Sequence, residues 1–269
     1  MKKFSYENKV AIVTGASSGI GREICKILTQ EYGCQVYGIA RRVKILEAMR
    51  EELGPDRFFC CCMDASDKKS WEKLRVYFEN LDTSPDILIN CAGVLPKFSS
   101  VRNEAEDNAE VTMSVNYFSA VYGCRYMMGL LNDGGVVINV SSASALCPFA
   151  GVASYSASKA ALQRYTECLA REERRLSVSA VMPGFVKTDI MKNQNVNERE
   201  QKTVNMFSAD SRKTAKKILR KAAGRKKRIV VGMDGHFMSI MYRFFPNFAP
   251  WLFTKVIKKT GMSLFEKVD

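Results

Sequence analysis

Eight consecutive residues, Thr14-Gly15-Ala16-Ser17-Ser18-Gly19-Ile20-Gly21, constrain this chain more than any other stretch. An apolar run of strand length, Val10-Ala11-Ile12-Val13, precedes them. Ile24, Ile27 and Leu28 follow at helical spacing, with Cys25 beside them. A glycine-rich turn from a strand straight into a helix gathers bare backbone N–H groups and a helix N-terminus at one point, which suits a pyrophosphate. The spacing, GxxxGxG, differs from the GxGxxG of the commonest dinucleotide-binding turn. Taken alone it also fits a tight turn that needs positive φ. The order strand, turn, helix favours phosphate binding.

The remainder alternates in the same way. Apolar strand candidates fall at residues 11–13, 35–40, 58–63, 87–90, 136–140, 178–182 and 228–231. Helical patterns fill 44–53, 70–81, 105–131, 153–175 and 211–223. Such alternation predicts an α/β fold, a doubly wound parallel sheet with right-handed crossovers and helices on both faces. A length of 269 residues supports one large domain with an adequate core, and no repeat or low-complexity linker divides it. One catalytic domain over 1–269 is expected, with a substrate loop at about 185–210 and a C-terminal extension at about 233–269. Asn193-Gln194-Asn195-Val196-Asn197 reads as a mobile polar stretch within that loop.

Tyr155 and Lys159 lie four residues apart, and Ser142 lies thirteen before the tyrosine. On a helix, positions i and i+4 share one face. A neighbouring cation favours the phenolate and lowers a phenol pKa from its usual value of about 10. A phenol so tuned can exchange a proton with an alcohol or alkoxide as hydride moves to or from the same carbon. Alone, the YxxxK spacing is weak, because such pairs commonly decorate a solvated helix face.

With these motifs in register the chain resembles the short-chain dehydrogenases/reductases. The resemblance runs from Val10 to about Thr188 and rests on the Thr14 to Gly21 turn, Asp64 after the third strand, Asn90-Cys91-Ala92-Gly93, Asn116, Ser141-Ser142, Tyr155 with Lys159, and Pro183-Gly184 with Thr188. Cys91 is the one departure, standing where the family often has a second Ala. The resemblance implies a Rossmann-type sheet, seven-stranded here, and the catalytic set Asn116, Ser142, Tyr155 and Lys159. Ser142 would bond the substrate oxygen and Tyr155 exchange its proton. Lys159 would bind the nicotinamide ribose and lower the tyrosine pKa, and Asn116 would hold a water in a proton relay. Thr14, Gly15, Ser17, Ser18, Gly19, Ile20 and Gly21 would hold the cofactor phosphates, with Asp64 at the adenine. Asn90 and Gly93 would lie at the groove floor, and Pro183, Gly184 and Thr188 would turn past the carboxamide. The implied activity is alcohol/carbonyl interconversion by hydride transfer.

Cofactor choice reads from the end of the second strand, where an acid would accept the adenosine ribose hydroxyls. Here Arg41-Arg42 follow Val36-Tyr37-Gly38-Ile39-Ala40, with no Asp or Glu in reach. Arginine offers a planar fork of donors to a phosphate, so NADP(H) is expected over NAD(H).

Nine cysteines include three in a row, Cys60-Cys61-Cys62. Neighbouring strand residues point to opposite faces, so these thiols cannot converge on a metal, and none is expected. They read as reduced, small apolar side chains of a cytoplasmic protein. The first residues lack the apolar stretch of a signal peptide, and no apolar run approaches 18 residues.

Charge is distributed unevenly. Residues 1–210 sum to +1 and residues 211–269 to +12, with ten cations between Arg212 and Arg228. An aromatic, proline-broken segment at 237–253 follows. Three readings stay open for this tail: a lid or entrance for a lipophilic substrate, a peripheral contact with anionic lipid, or a solvated basic helix beside aromatics packed in the core. Nucleic-acid binding ranks lowest, since aromatics among Pro and Met resemble packing more than base stacking. The substrate expectation is a hydroxysteroid, bile acid or 3-oxo long-chain lipid, handled by a homo-oligomer (dimer or tetramer). A 3-oxoacyl-carrier-protein reductase, a non-catalytic NADP-sensing protein and a membrane-peripheral binding protein are the alternatives.

Overall fold

Apolar strands of this kind need cover on both faces, and the crossover helices provide it. The computed structural model describes residues 3–81, 83–191, 194, 200, 208–259 and 268. The strands are β1 (Val10–Thr14), β2 (Gln35–Ala40), β3 (Phe58–Cys62), β4 (Ile87–Asn90), β5 (Val136–Val140), β6 (Ser177–Pro183) and β7 (Arg228–Val231). All pair in parallel, in the order β3-β2-β1-β4-β5-β6-β7. The order reverses between β1 and β4, which leaves a crevice beyond the carboxyl ends of those two strands.

Adjacent residues of β1 feed two separate cores. Val13 packs with Ile24 and Leu28 of α1 (Gly19–Tyr32), Leu46 of α2 (Val43–Leu53) and Ile218 of α7 (Ser211–Ala223). Ile12 packs on the other face with Trp71 of α3 (Lys68–Glu79), Cys124 of α5 (Ser119–Met127) and Ala170 of α6 (Ala153–Glu172). Cys60 sits against the first core and Cys61 against the second, so the run of thiols is divided by the pleat. Burial raises the pKa of the Cys61 thiol to about 12.

A buried polar chain crosses the second core. Asn90 donates to Asn139 Oδ1 at 2.8 Å, and Asn139 donates to Thr166 Oγ1 at 3.0 Å. It ties β4 and β5 to α6, the helix that carries Tyr155 and Lys159.

The structure departs from the sequence pattern in one place and adds detail to it in two more. Residues 105–131 are not one helix: α4 (Asn108–Met113) passes through a π-helical stretch (Ser114–Phe118) into α5, and a 3₁₀ turn (Met128–Leu130) ends the run. A π turn inserts one residue into the helical repeat, and Asn116 lies within it. Secondly, part of the basic run is tied to its own fold. Arg212 and Lys216 on α7 pair with Glu31 of α1 at 2.8 and 2.9 Å, and Arg228 reaches Glu167 at 3.9 Å. Thirdly, the aromatic segment forms α8 (Met233–Phe244) and α9 (Phe248–Lys259), in which only Met238, Gly235 and Ala249 are buried among the residues with described side chains. Phe253 and Met241 pack beneath them, whereas Phe244 and Trp251 face outward and are not among the described residues that line the cavity of the candidate site. Most of the expected polar stretch at 193–197 lies outside the described residues.

Asn139→Ala strands the Asn90 amide and removes the donor to Thr166. Each buried group left unpaired costs about 1–3 kcal/mol, so a loss in that range is expected in urea unfolding, with the slope of the transition unchanged.

Candidate active site

The crevice opens into a cavity of about 430 Å³ whose wall follows the glycine turn. Thr14, at the end of β1, accepts from the backbone N–H groups of Cys91 at 2.9 Å and Ala92 at 3.0 Å, clamping the segment after β4 to the turn. Gly15 has φ +70°, and a Cβ there would sit 2.8 Å from the Cys91 carbonyl oxygen. No L side chain fits both conditions. Ser18 caps α1 with extended backbone, and its side chain makes no capping hydrogen bond to the helix. Gly15, Ser18, Gly19, Ile20 and Gly21 all line the cavity. These features fit a dinucleotide: backbone close enough for a pyrophosphate, at the positive end of a 14-residue helix.

The two arginines separate. Arg42 lines the cavity and donates through Nε and Nη2 to Ser17 Oγ at 3.1 and 2.9 Å. Arg41 stands off it, paired with Asp64 at 3.5 Å. Partial burial would raise the Asp64 carboxyl, but hydrogen bonds from the Ser66 hydroxyl and N–H, together with the Arg41 charge, outweigh it and hold the pKa low. Thr14, Ser17, Asp64, Asn90 and Asn116 do not line the cavity. Asn90 lies beneath it, engaged with Asn139.

At the other end, Ser142, Tyr155, Lys159, Pro183, Gly184 and Thr188 line the same cavity with Cys91 and Gly93. The Ser141 hydroxyl donates to the Lys159 carbonyl at 2.6 Å, fixing the end of β5 to α6. Lys159 Nζ is buried and donates to the Val140 carbonyl at 3.1 Å. Burial lowers its pKa to about 8. Gly93 lets this ammonium approach, since a Cβ there would lie 3.2 Å from both Lys159 Nζ and Asn116 Oδ1. Burial raises the Tyr155 phenol above its ordinary value, and the Ser142 hydroxyl pulls the other way. The phenol is therefore raised here, against the expectation that Lys159 lowers it. The Lys159 ammonium lies 5.9 Å from the ring centroid and is directed at a carbonyl instead.

Asn116 is fully buried and its amide is committed. Oδ1 accepts from Val94 N at 2.7 Å, while Nδ2 donates to Val94 O at 3.0 Å and Ser158 Oγ at 3.0 Å. The side chain thus joins the loop after β4 to the Tyr155-bearing turn of α6 rather than reaching into the cavity.

Sequence reasoning did not single out Ser158, although it lies inside the Tyr155 to Lys159 segment. It also missed Leu95, Phe98, Phe149 and Val152, whereas Ile190 of the expected substrate loop and Met238 of the aromatic segment join them in lining the cavity. No spacing connects these residues, because separate loops and α8 deliver them. Val268, near the end of the chain, packs with Leu95, Phe98 and Val152 beside the cavity. Gln194 is buried and brackets the loop from both sides, accepting from Phe98 N at 3.0 Å and donating to Pro96 O at 2.8 Å. The Ser144 hydroxyl, buried and without a hydrogen-bond partner among the described residues, adds a polar group to the lining beside Ser142.

Residues 9–199 match the family model described as short chain dehydrogenase. The chain belongs to this family. Members of this kind are oxidoreductases that use NAD(P) on CH–OH and carbonyl groups, and the fold and cavity of this short-chain dehydrogenase accord with that. It is 31% identical over 194 residues to benzil reductase ((S)-benzoin forming) IRC24 of Saccharomyces cerevisiae, covering 68% of this chain and 74% of the relative. Against the 3-oxoacyl-[acyl-carrier-protein] reductase FabG of Vibrio cholerae the identity is 32% over 197 residues, 72% of this chain and 80% of that one. The fatty acyl-CoA reductase of Acinetobacter baylyi matches at 29% over 276 residues, spanning 96% of this chain and 86% of the relative. Among solved structures, a short chain dehydrogenase from Burkholderia cenocepacia in complex with NADP superposes with a TM-score of 0.76 at 26% identity, covering 90% of this chain and 96% of that one.

The Lys159 pKa carries a kinetic consequence. Below about pH 8 the ammonium is charged, and above it the charge is lost. The pH dependence of kcat/KM with the cofactor varied reports groups of the free enzyme. That ratio is expected to fall as pH rises through about 8, and Lys159→Met should give a low profile without that limb.

Proposed function

We propose that this short-chain dehydrogenase is an NADP(H)-dependent enzyme that interconverts a secondary alcohol and a ketone on a lipophilic substrate. One observation carries the reading: Tyr155, Ser142 and Lys159 line one cavity together with apolar and aromatic side chains, Leu95, Phe98, Phe149, Val152, Ile190 and Met238. In this reading Ser142 donates to the substrate oxygen and Tyr155 gives it a proton, a phenol raised by burial being well suited to stay protonated at neutral pH. Lys159 binds the ribose beside the nicotinamide. Asn116 acts as a positioning residue, holding the loop after β4 against α6. The bound nicotinamide supplies the hydride.

The NADP(H) preference is supported by Arg42, which lines the cavity, while the Asp64 carboxylate that the fold brings beside the end of β2 is engaged by Arg41. The apolar wall supports a lipophilic substrate, as does similarity over 96% of the chain to a protein named fatty acyl-CoA reductase. A second reading, reduction of a 3-oxoacyl group on a carrier protein, is supported by the similarity to FabG.

The test is a screen with NADPH and NADP⁺ over steroids, bile acids, 3-oxo acyl thioesters and small ketones, followed by Arg42→Ala. Turnover of polycyclic or long-chain carbonyls above small ketones is expected. A charge-assisted hydrogen bond is worth about 1.5–3 kcal/mol, and 1.4 kcal/mol is about a factor of ten. Arg42→Ala should therefore weaken NADPH binding by at least about tenfold and leave NADH binding nearly unchanged. Arg41→Ala should have the smaller effect, since Arg41 is held by Asp64. Equal losses for both cofactors would remove the 2′-phosphate from the account.

A further inference from the structure

Helix α8 has two faces with different occupants. Met238 turns inward, packs with Ala143 and Cys147, and lines the cavity. The opposite face carries Met233, Phe237, Ile240 and Phe244, spaced 4, 3 and 4 residues apart, which is one continuous stripe on an α-helix. Their exposures are 91%, 52%, 56% and 66%. Phe245, Phe248 and Trp251 extend the surface onto the turn and α9, with the Phe248 and Trp251 rings 5.5 Å apart.

Charge indicates what covers this surface. From Gly235 to Lys259 the chain has no Asp or Glu and four cations, Arg243, Lys255, Lys258 and Lys259. Two of them lie over exposed rings: Arg243 is 5.8 Å from the Phe244 centroid, and Lys255 is 4.8 Å from that of Trp251. The one acid of α8, Asp234, is turned inward to accept from Phe185 N at 2.6 Å. Protein interfaces are depleted in Lys at their cores. Exposed Phe, Trp and Ile interleaved with Lys and Arg is the composition of a helix lying in the boundary of an anionic bilayer.

We propose that α8 and α9 form a docking surface for an anionic lipid bilayer. The apolar stripe and Trp251 enter the headgroup boundary, Lys255, Lys258 and Lys259 meet the lipid charge, and the inward face of α8 closes the cavity. The interaction goes beyond the substrate reading and does not depend on it, since lipid binding is measured without turnover.

The experiment uses the full chain and vesicles of phosphatidylcholine alone or with about one third phosphatidylserine. Trp71 is fully buried in the core and Trp251 is 53% exposed, and the chain has only these two tryptophans. Emission should therefore shift to the blue on binding through Trp251 alone. Flotation with the anionic vesicles is expected at low salt and should weaken as salt is raised. A basic residue near such a surface contributes about 1 kcal/mol, so Lys255→Glu, Lys258→Glu and Lys259→Glu together should weaken binding by more than about tenfold. Phe237→Ser, Ile240→Ser and Phe244→Ser together should abolish the Trp251 shift. Retained melting temperature marks the variants as folded, and the lysine variant keeps the test decisive if the serine variant does not fold. No flotation with anionic vesicles would overturn the proposal. Binding that survives both triple variants but is lost in Lys217→Glu with Arg220→Glu would move attachment to α7 and overturn it equally. So would a concentration-dependent dimer, lost in the serine variant, in a chain that ignores vesicles.

Discussion

The site depends on one seam, the reversal of strand order between β1 and β4. Two parallel strands that diverge in connection leave their carboxyl ends without a covering crossover, so backbone there is open to a ligand. The Thr14 hydroxyl spans that seam, accepting from two consecutive N–H groups of the loop after β4. Gly15 then passes the Cys91 carbonyl at a distance no side chain permits. With the seam fixed in this way, the first turn of α1 and the loop carrying Gly93 face the same cavity.

Tyr155 and Lys159 are carried by α6, which a set of polar groups holds against the seam. Ser141 holds the Lys159 carbonyl, Asn116 holds Ser158 and Val94, and Asn139 holds Thr166. Their arrangement brings an ammonium into a buried position, and burial lowers its pKa. The cost of holding a cation there is eased by the Val140 carbonyl and by the close approach that Gly93 allows. The π turn at Ser114–Phe118 belongs to the same device, because it contains the residue whose amide joins both sides.

Strand and helix alternation made the sheet legible, since strands buried on both faces leave uninterrupted apolar runs. Residues 35–40, 87–90, 136–140 and 228–231 coincide with observed strands. The glycines of the first turn and the Tyr155–Lys159 pair were legible because local spacing puts them on one turn or one helix face, and Ser142, Gly93 and Gly184 because their motifs stand in register with the family's. The π turn was not, because it answers to hydrogen bonds with Val94 and Ser158 from distant segments. Nor was the raised pKa of Tyr155, which depends on burial that no i, i+4 rule contains. The wall of Phe98, Phe149 and Met238 assembles from three separate parts of the chain. The tail showed its composition but not its orientation. Only the packing of Met238 inward decides that Phe237, Ile240 and Phe244 face out.

The central claim is that the Tyr155 phenol supplies the proton while binding of the cofactor rests on other groups. Comparing NADPH affinity and single-turnover carbonyl reduction in the wild-type chain and Tyr155→Phe tests it directly. NADPH affinity should stay within about twofold, while the reduction step slows by about 10²-fold or more, the usual contribution of a positioned general acid. A Tyr155→Phe enzyme that keeps more than about a tenth of the wild-type rate would contradict the account, because general-acid catalysis would then come from elsewhere.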